Sequence, residues 1–539
     1  MSMRVLIVGG VAGGMSCAAR LRRLDESVNV TVFERGPNVS FANCGMPYFI
    51  GGIIEDRKKM EVQTPEVLMA RYGLDVRLRQ EVVAIDRDAK QIRVRDLTAG
   101  TEYTEAYDTL VLSPGASPIR PPIPGIELSH VHVLNNLPDM DRIRAAVTQA
   151  KSVCVVGGGF IGLELVENLR HLGLKVTLVE LLDQVMPPLD KEMARPIRDE
   201  LVCNGVNVIL GDSASEIHAD HVLLKSGARV DAEVVCMCAG VRPNSNLAKD
   251  AGLQLGARGH IHVDSNMCTS DPAIYAVGDA VEVRDFVTQE IVAVPLAGPA
   301  NRQGRIAADN ICGRPSTYGD AQGTSIVKVF NLAAGMTGLS EKRLTSGHMR
   351  YRKIYLHPTQ HPGYYPGAKP ISIKLLFNDD ATILGAQAIG QEGVDVVIDV
   401  IATAMRGGLT VYDLENLELA YSPQWGTAKH GINMAGFLAC NVLRGDVKVY
   451  ETGDPLGDVL LLDCRTQAEM NAGMIPEAIG IPLDELRARV GELPKDHTIV
   501  VYCQAGLRGY VACRFLMQHG YTVKNLNGGY RTWLWHQPI

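Results

Sequence analysis

The chain has no surplus of positive charge: 53 Lys and Arg stand against 60 Asp and Glu in 539 residues, for a net charge of -7 and a pI near 6.1. That balance supplies no basic field for nucleic acid, and no Lys/Arg run offers a grip on a membrane surface. An unbroken apolar span is also missing. The uncharged segment Val5 to Ala19 has no basic leader and is interrupted by Gly9, Gly10, Gly13 and Gly14, so it reads as strand, turn and helix rather than as a signal or membrane span. Twelve cysteines scattered over a chain of this size make no disulfide framework; the expected compartment is the reducing cytoplasm. Metal-ligand spacing is absent too. Cys236-x-Cys238 lies in the strand-like run Val234 to Ala239 with no second ligand pair nearby, which reads as core alternation. The last absence concerns Ser40-Phe-Ala-Asn-Cys44-Gly-Met-Pro-Tyr48. The next cysteine after Cys44 is Cys154, so a redox-active Cys44 has no second thiol close in sequence, and taken alone it reads rather as a small residue buried in a loop.

What is present is enough chain for three or four domains, with 46% hydrophobic and 21% charged content. Val5-Leu-Ile-Val8 runs into Gly9-Gly10-Val11-Ala12-Gly13-Gly14, a helix-like stretch to Leu24, and a strand Val28 to Phe33 closed by Glu34. Such a unit turns the backbone against a pyrophosphate at a helix N-terminus and offers an acidic residue to ribose hydroxyls. Val11 stands where the middle glycine is expected. A second unit has all three glycines: Val153 to Val156, Gly157-Gly158-Gly159-Phe-Ile-Gly162, a helix to Leu172, and Lys175 to Val179 ending at Glu180. Two units imply two nucleotides, most economically a flavin and a nicotinamide. Glu180 would accept from a 2′-hydroxyl and repel a 2′-phosphate, and Leu181-Leu182-Asp183 provides no arginine, so NADH is favoured over NADPH. Two further apolar strands end in Ser113-Pro-Gly115 and Gly278-Asp279; each could be an ordinary strand end.

These stretches together resemble the two-dinucleotide flavoprotein disulfide reductases over about residues 1 to 445. Within that family Ser40-Phe-Ala-Asn-Cys44 with Gly10-Val-Ala-Gly-Gly14 resembles the coenzyme A disulfide reductases and their persulfide-reducing relatives, a branch that uses a single cysteine and often lacks the middle glycine. The resemblance implies FAD held by Gly9, Gly10, Val11, Ala12, Gly13, Gly14, Glu34, Ser113, Gly115 and Asp279. It implies NADH on Gly157, Gly159, Gly162 and Glu180, and coenzyme A near Arg23, Ser40 and Asn43. About residues 326 to 445 resemble the family's dimerisation domain, implying a homodimer in which Tyr364 and Tyr421 approach the cysteine of the partner subunit, with Tyr365 as rival to Tyr364. Phenol hydroxyls suit that place, since they can donate to a thiolate or protonate a leaving one.

From Val459 onward the pattern resembles a rhodanese domain: Asp463-Cys-Arg465, Gly473-Met-Ile-Pro476, Cys503-Gln-Ala-Gly-Leu-Arg508 and Asn527-Gly-Gly-Tyr530. Cys503 opens a glycine-containing loop before a helix, where backbone N–H groups lower a thiol pKa and stabilise a persulfide anion. Arg508 resembles the loop arginine that anchors an anionic sulfur donor; Cys464 and Cys513 read as structural. The expected architecture is α/β: two Rossmann-like dinucleotide-binding domains (FAD 1–120 and 255–325, NADH 121–254), an α+β dimerisation domain 326–445 and a C-terminal α/β rhodanese domain 446–539. The expected activity is NADH-dependent, FAD-mediated reduction of a persulfide, polysulfide or coenzyme A disulfide at Cys44. The fused sulfurtransferase would draw on thiosulfate or a protein donor. Rivals are an NADH oxidase or peroxidase working through a Cys44 sulfenic acid, and a non-enzymatic redox-sensing adaptor.

Overall fold

In the computed structural model, residues 2–454 and 459–538 are described; residues 1 and 539, at the outer ends of the first and last expected domains, and 455–458, inside the last, lie outside the described residues. The chain divides into two compact units, residues 1–183 with 205–322, and residues 184–204 with 323–539.

The first unit repeats one design. A parallel sheet in the order Ile274–Ala276, Thr109–Leu112, Arg4–Val8, Asn29–Glu34, Asp75–Leu78 carries the first dinucleotide motif. A second parallel sheet, Asn207–Leu210, Lys175–Glu180, Ser152–Val156, Val234–Met237, Val131–Val133, carries the second. Each is followed by a three-stranded antiparallel ribbon, Gln80–Asp86 to Glu102–Ala106 in one case and Ala214–Ile217 to Arg229–Asp231 in the other. Central strands of parallel sheets are covered on both faces, which is why Val5, Leu6 and Ile7 are all buried and why the sequence there is apolar without alternation. The chain crosses between the two sheets at Ala116–Pro118 and returns at Val241–Pro243, and these crossings pair antiparallel. After the return, Ala248 and Leu253 join the core of the first sheet.

The two glycine turns superpose in their chemistry. Gly9 and Gly157 both have left-handed φ, +99° and +113°, and a Cβ at either would lie 2.0–2.2 Å from a facing carbonyl, that of Ser113 or Cys238. Val11 and Gly159 are the N-caps of the helices Ala12–Leu24 and Phe160–His171, with φ of -115° and -81°. Neither φ is in the left-handed region, so this position does not demand glycine.

The second unit contains an antiparallel sheet, Ser325–Val329, Leu332–Gly338, Ile383–Gly390, Ile371–Phe377, Arg352–Leu356, and a parallel sheet, Val449–Tyr450, Val523–Leu526, Thr498–Tyr502, Val459–Asp463, Ile479–Gly480. The helix Lys191–Cys203 belongs with this unit although its sequence lies inside the second dinucleotide stretch. Its anchor is electrostatic. Lys374, fully buried on the strand Ile371–Phe377, reaches Asp190 at 2.8 Å, Glu192 at 2.5 Å and Glu341 at 2.7 Å. A cluster of this kind is costly to desolvate and costlier to break, since removing one partner strands the others without water. Asn527 ties the C-terminal sheet to the same region, its side chain accepting from Tyr355 N at 3.0 Å and donating to Lys353 O at 3.0 Å.

Candidate functional site

Cys44 sits in a single 3-10 turn, Asn43–Gly45, that runs directly into the helix Met46–Ile50. The loop is tied to the first glycine turn: Ser40 N donates to Gly10 O at 2.8 Å, and Ser40 O accepts from Val62 N at 2.9 Å. Ser40 holds φ +47°, a left-handed backbone uncommon for a residue with a side chain, maintained by these two bonds. The thiol lies exposed on the surface of the unit, yet neighbouring atoms strip part of its water. That desolvation, followed by the carboxylates of Glu164 and Asp279, holds it above the ordinary thiol range. Asn43 is exposed beside it, and Arg23 is exposed at the end of the helix Ala12–Leu24.

Glu164 had no signal in the sequence. It lies two residues after Gly162 on the helix Phe160–His171 and accepts from Tyr48 Oη at 3.2 Å, four residues beyond Cys44. Burial, with a smaller push from Glu167, raises its carboxyl to about 7. A pattern search cannot pair it with Cys44, because the two come from different sheets' helices and meet only in the fold. Asp279, half-buried at the end of the strand Ile274–Ala276, is also raised by burial.

The two glycine turns have room and donors for two dinucleotides. Helices Ala12–Leu24 and Phe160–His171 have no side-chain N-cap, which leaves first-turn N–H groups for a pyrophosphate. A Cβ at Gly159 would meet nothing within 4 Å, so the space before the second turn is open. Glu34 accepts from Gly10 N at 2.9 Å and Gly36 N at 2.7 Å; Glu180 accepts from Gly158 N at 2.6 Å and Leu182 N at 2.8 Å. The duplicated bonds fix both carboxylates at the strand ends with lone pairs left for ribose hydroxyls. Ser113 N donates to Val8 O at 2.7 Å, placing the Ser-Pro-Gly115 turn beside the first motif.

In the second unit Tyr364 Oη and Tyr421 Oη lie 3.2 Å apart, both rings exposed, with Trp425 also exposed nearby in sequence. Tyr365 has a different neighbour. Its ring packs edge-on against His361 at 5.5 Å.

The C-terminal thiol is arranged differently. Cys503 follows the strand Thr498–Tyr502, is buried, and its Sγ accepts from Gly506 N at 3.1 Å. A hydrogen bond from the Cys464 thiol, with backbone donors at Gly509, Ala505 and Gly506, outweighs burial and lowers its pKa to about 6. Gly529 is required here, since a Cβ would lie 2.4 Å from Cys503 O. Arg465, buried against Asp463 at 2.7 Å, lies over the Tyr530 ring at 4.1 Å and buttresses the loop from below. Cys464 is buried at the end of the neighbouring strand, which finishes beside the strand that leads into Cys503. Arg508 makes a bidentate pair with Glu469, both bonds 2.7 Å, and its charge also acts on Cys503, beside the backbone N–H groups of the loop.

Comparison with known proteins follows this division. The family model described as "Pyridine nucleotide-disulphide oxidoreductase" matches residues 3–304, the dimerisation domain of that family residues 324–429, and a rhodanese-like domain residues 449–535. The crystal structure of reduced Bacillus anthracis CoADR-RHD shares 47% identity, with 99% of this chain and 98% of that chain covered and a TM-score of 0.98. A NAD-dependent persulfide reductase from A. fulgidus shares 35% identity, with 98% and 100% covered and a TM-score of 0.93. The coenzyme A disulfide reductase of Staphylococcus haemolyticus is 33% identical over 440 residues, 81% of this chain and 99% of that protein.

Proposed function

The chain belongs to the pyridine nucleotide-disulphide oxidoreductase family and continues into a rhodanese-like domain, and from that premise we propose that it reduces persulfides, polysulfides or coenzyme A disulfide at Cys44, with sulfane sulfur also handled at Cys503. The observation that carries the reading is the Ser40-to-Gly10 bond, which ties a loop with one thiol to the first nucleotide turn. Names of similar proteins add the substrate class: a coenzyme A disulfide reductase and a persulfide reductase.

The Cys44 thiolate attacks the disulfide or persulfide sulfur, forming a mixed disulfide on Sγ and releasing a thiolate or hydrosulfide. FAD beside Gly9–Gly14 and NADH beside Gly157–Gly162 would supply, when bound, the two electrons needed to reduce the mixed disulfide. Arg23, Ser40 and Asn43 are proposed to orient the coenzyme A portion. Tyr364 and Tyr421, at 3.2 Å, make a hydroxyl pair suited to protonate a leaving thiolate, and we assign them to the cysteine of the partner subunit in a homodimer. Glu164 and Tyr48 hold a proton close to Cys44 near neutral pH. Glu180 favours NADH through its carboxylate. Among the described residues no helix is long and apolar enough to cross a membrane, and twelve free cysteines suit a reducing compartment such as the cytoplasm.

Replacing Cys44 with serine in the FAD-bound protein is expected to cut NADH-dependent reduction of coenzyme A disulfide and persulfide by at least roughly 10³-fold while FAD stays bound. Substantial residual turnover of both substrates would contradict the assignment. Mass analysis of Cys44 during turnover distinguishes an oxidase: a mixed disulfide with coenzyme A supports reduction of sulfur substrates, a sulfenic acid supports reaction with oxygen or peroxide.

A further inference from the structure

Two neighbouring strands of the C-terminal sheet finish together. Val459–Asp463 and Thr498–Tyr502 run parallel with Asp463 opposite Tyr502, so the next residues, Cys464 and Cys503, leave the sheet as neighbours on one side. Cys464 N donates to Tyr502 O at 2.9 Å, and its Sγ lies 3.1 Å from the same oxygen. The Cys464 S–H therefore points at the carbonyl of the residue that precedes Cys503, which sets its sulfur beside that strand end. Both residues are buried, 1% and 2% exposed. Register neighbours on adjacent strands have Cα atoms about 5 Å apart, inside the roughly 4.4–6.8 Å window that a disulfide spans.

We propose that Cys464 is a resolving thiol: once Cys503 carries a sulfane sulfur, Cys464 attacks Cys503 Sγ and expels that sulfur as hydrosulfide, leaving a Cys464–Cys503 disulfide. The Cys464 S–H bond and the bond from Cys503 Sγ to the sulfane sulfur break, and one S–S bond forms. The Cys464 proton leaves on the departing sulfur as HS⁻, and the two electrons that reduce the sulfane sulfur come from the two cysteine sulfurs.

Charge explains why the step waits for sulfur. In the resting site the Cys503 thiolate keeps Cys464 protonated, with its thiol held well above the ordinary value by that neighbour and by burial. Persulfidation makes Cys503 Sγ neutral and moves the negative charge out to the terminal sulfur, towards the loop N–H groups that include Gly506. Ionising Cys464 then no longer sets two charges side by side, and the attack is intramolecular between residues that follow paired strand ends. A low-molecular-weight thiol restores the pair by two exchanges and leaves as its disulfide. That product is of the class assigned above to Cys44; this return leg rests on that reading, whereas the resolving step does not.

The test uses the full-length FAD-bound protein with Cys44→Ser, so that no hydrosulfide can arise at Cys44, free of NADH and added thiols and given thiosulfate. Sulfite reports loading of Cys503, hydrosulfide reports resolution, and peptide mapping reports the cross-link. The expected result is sulfite followed by about one hydrosulfide per chain, with Cys464 joined to Cys503. Adding Cys464→Ser, which keeps a hydrogen-bond donor but cannot form the bond, should still release sulfite, more slowly because the Cys503 thiolate loses a neighbour, but abolish hydrosulfide and leave a lasting Cys503 persulfide. Cys513→Ala should behave as the parent. Sulfite without hydrosulfide or cross-link in the parent, or equal hydrosulfide from Cys464→Ser, overturns the resolving role. Absence of sulfite overturns instead the reading of Cys503 as a sulfur carrier, and with it this proposal.

Discussion

Cys44 and Cys503 are prepared for nucleophilic chemistry in opposite ways. Cys503 is buried and nonetheless lowered to about 6, because Cys464 and three loop N–H groups stabilise its thiolate within the same domain. Cys44 is exposed and nonetheless raised, because partial desolvation and two carboxylates, Glu164 and Asp279, oppose its ionisation. Exposure therefore does not rank these thiols by reactivity; the sign of what surrounds the sulfur does. The difference teaches that the C-terminal site is complete in its own fold. The N-terminal site has a thiol, a proton store at Glu164 and two nucleotide cradles, and draws its remaining groups from what binds there.

The comparison can be broken most severely at Cys503. Changing it to serine should eliminate sulfur transfer from thiosulfate, a loss of at least roughly 10³-fold, while NADH-dependent reduction of small persulfides continues. In the unaltered protein, sulfur transfer should fall as pH drops through about 6, where the Cys503 thiolate takes up its proton. Persistence of full transfer at pH 5 would contradict the loop's role.

A smaller effect should separate the halves by cofactor. Glu180→Ser removes the carboxylate that accepts from Gly158 N and Leu182 N, and the NADH-to-NADPH ratio of kcat/KM should fall by roughly ten-fold, with thiosulfate sulfur transfer unchanged. An unaltered ratio would mean that the ribose lies elsewhere.

The smallest effect sharpens the electrostatic contrast itself. Glu164 becomes charged as pH rises through about 7, and its charge then opposes the Cys44 thiolate. Glu164→Gln should therefore speed alkylation of Cys44 above pH 7 by about five-fold, the effect of a like-charge interaction near 1 kcal/mol, and change nothing below pH 6. A variant that slowed alkylation above pH 7 would reverse the assigned sign.

Much of this architecture was legible because its signals are local. The two glycine turns, the strand-ending glutamates and the loop of Cys503 each lie within one short stretch, and the repeated bonds of Glu34 and Glu180 follow from repeated sequence. Val11 read as a defect only because the pattern asks for glycine; its φ of -115° shows that the backbone does not. What could not be read were contacts between distant segments: Glu164 with Tyr48, Glu469 with Arg508, Lys374 with the helix Lys191–Cys203, and Cys464 with Cys503. Cys464 is the instructive case. Its position after an apolar strand reads as core, and only the register of two parallel strands, 39 residues apart along the chain at Asp463 and Tyr502, sets it against a reactive thiol.

The central claim is that Cys44 completes the reductive cycle without sulfur passing through Cys503. Stopped-flow reoxidation of the NADH-reduced Cys503→Ser protein by coenzyme A persulfide tests it most directly, because the flavin absorbance reports the Cys44 half alone. The account predicts reoxidation at a rate within about two-fold of the unaltered protein. Failure of the Cys503→Ser protein to reoxidise would show that every cycle runs through the C-terminal thiol, and would contradict it.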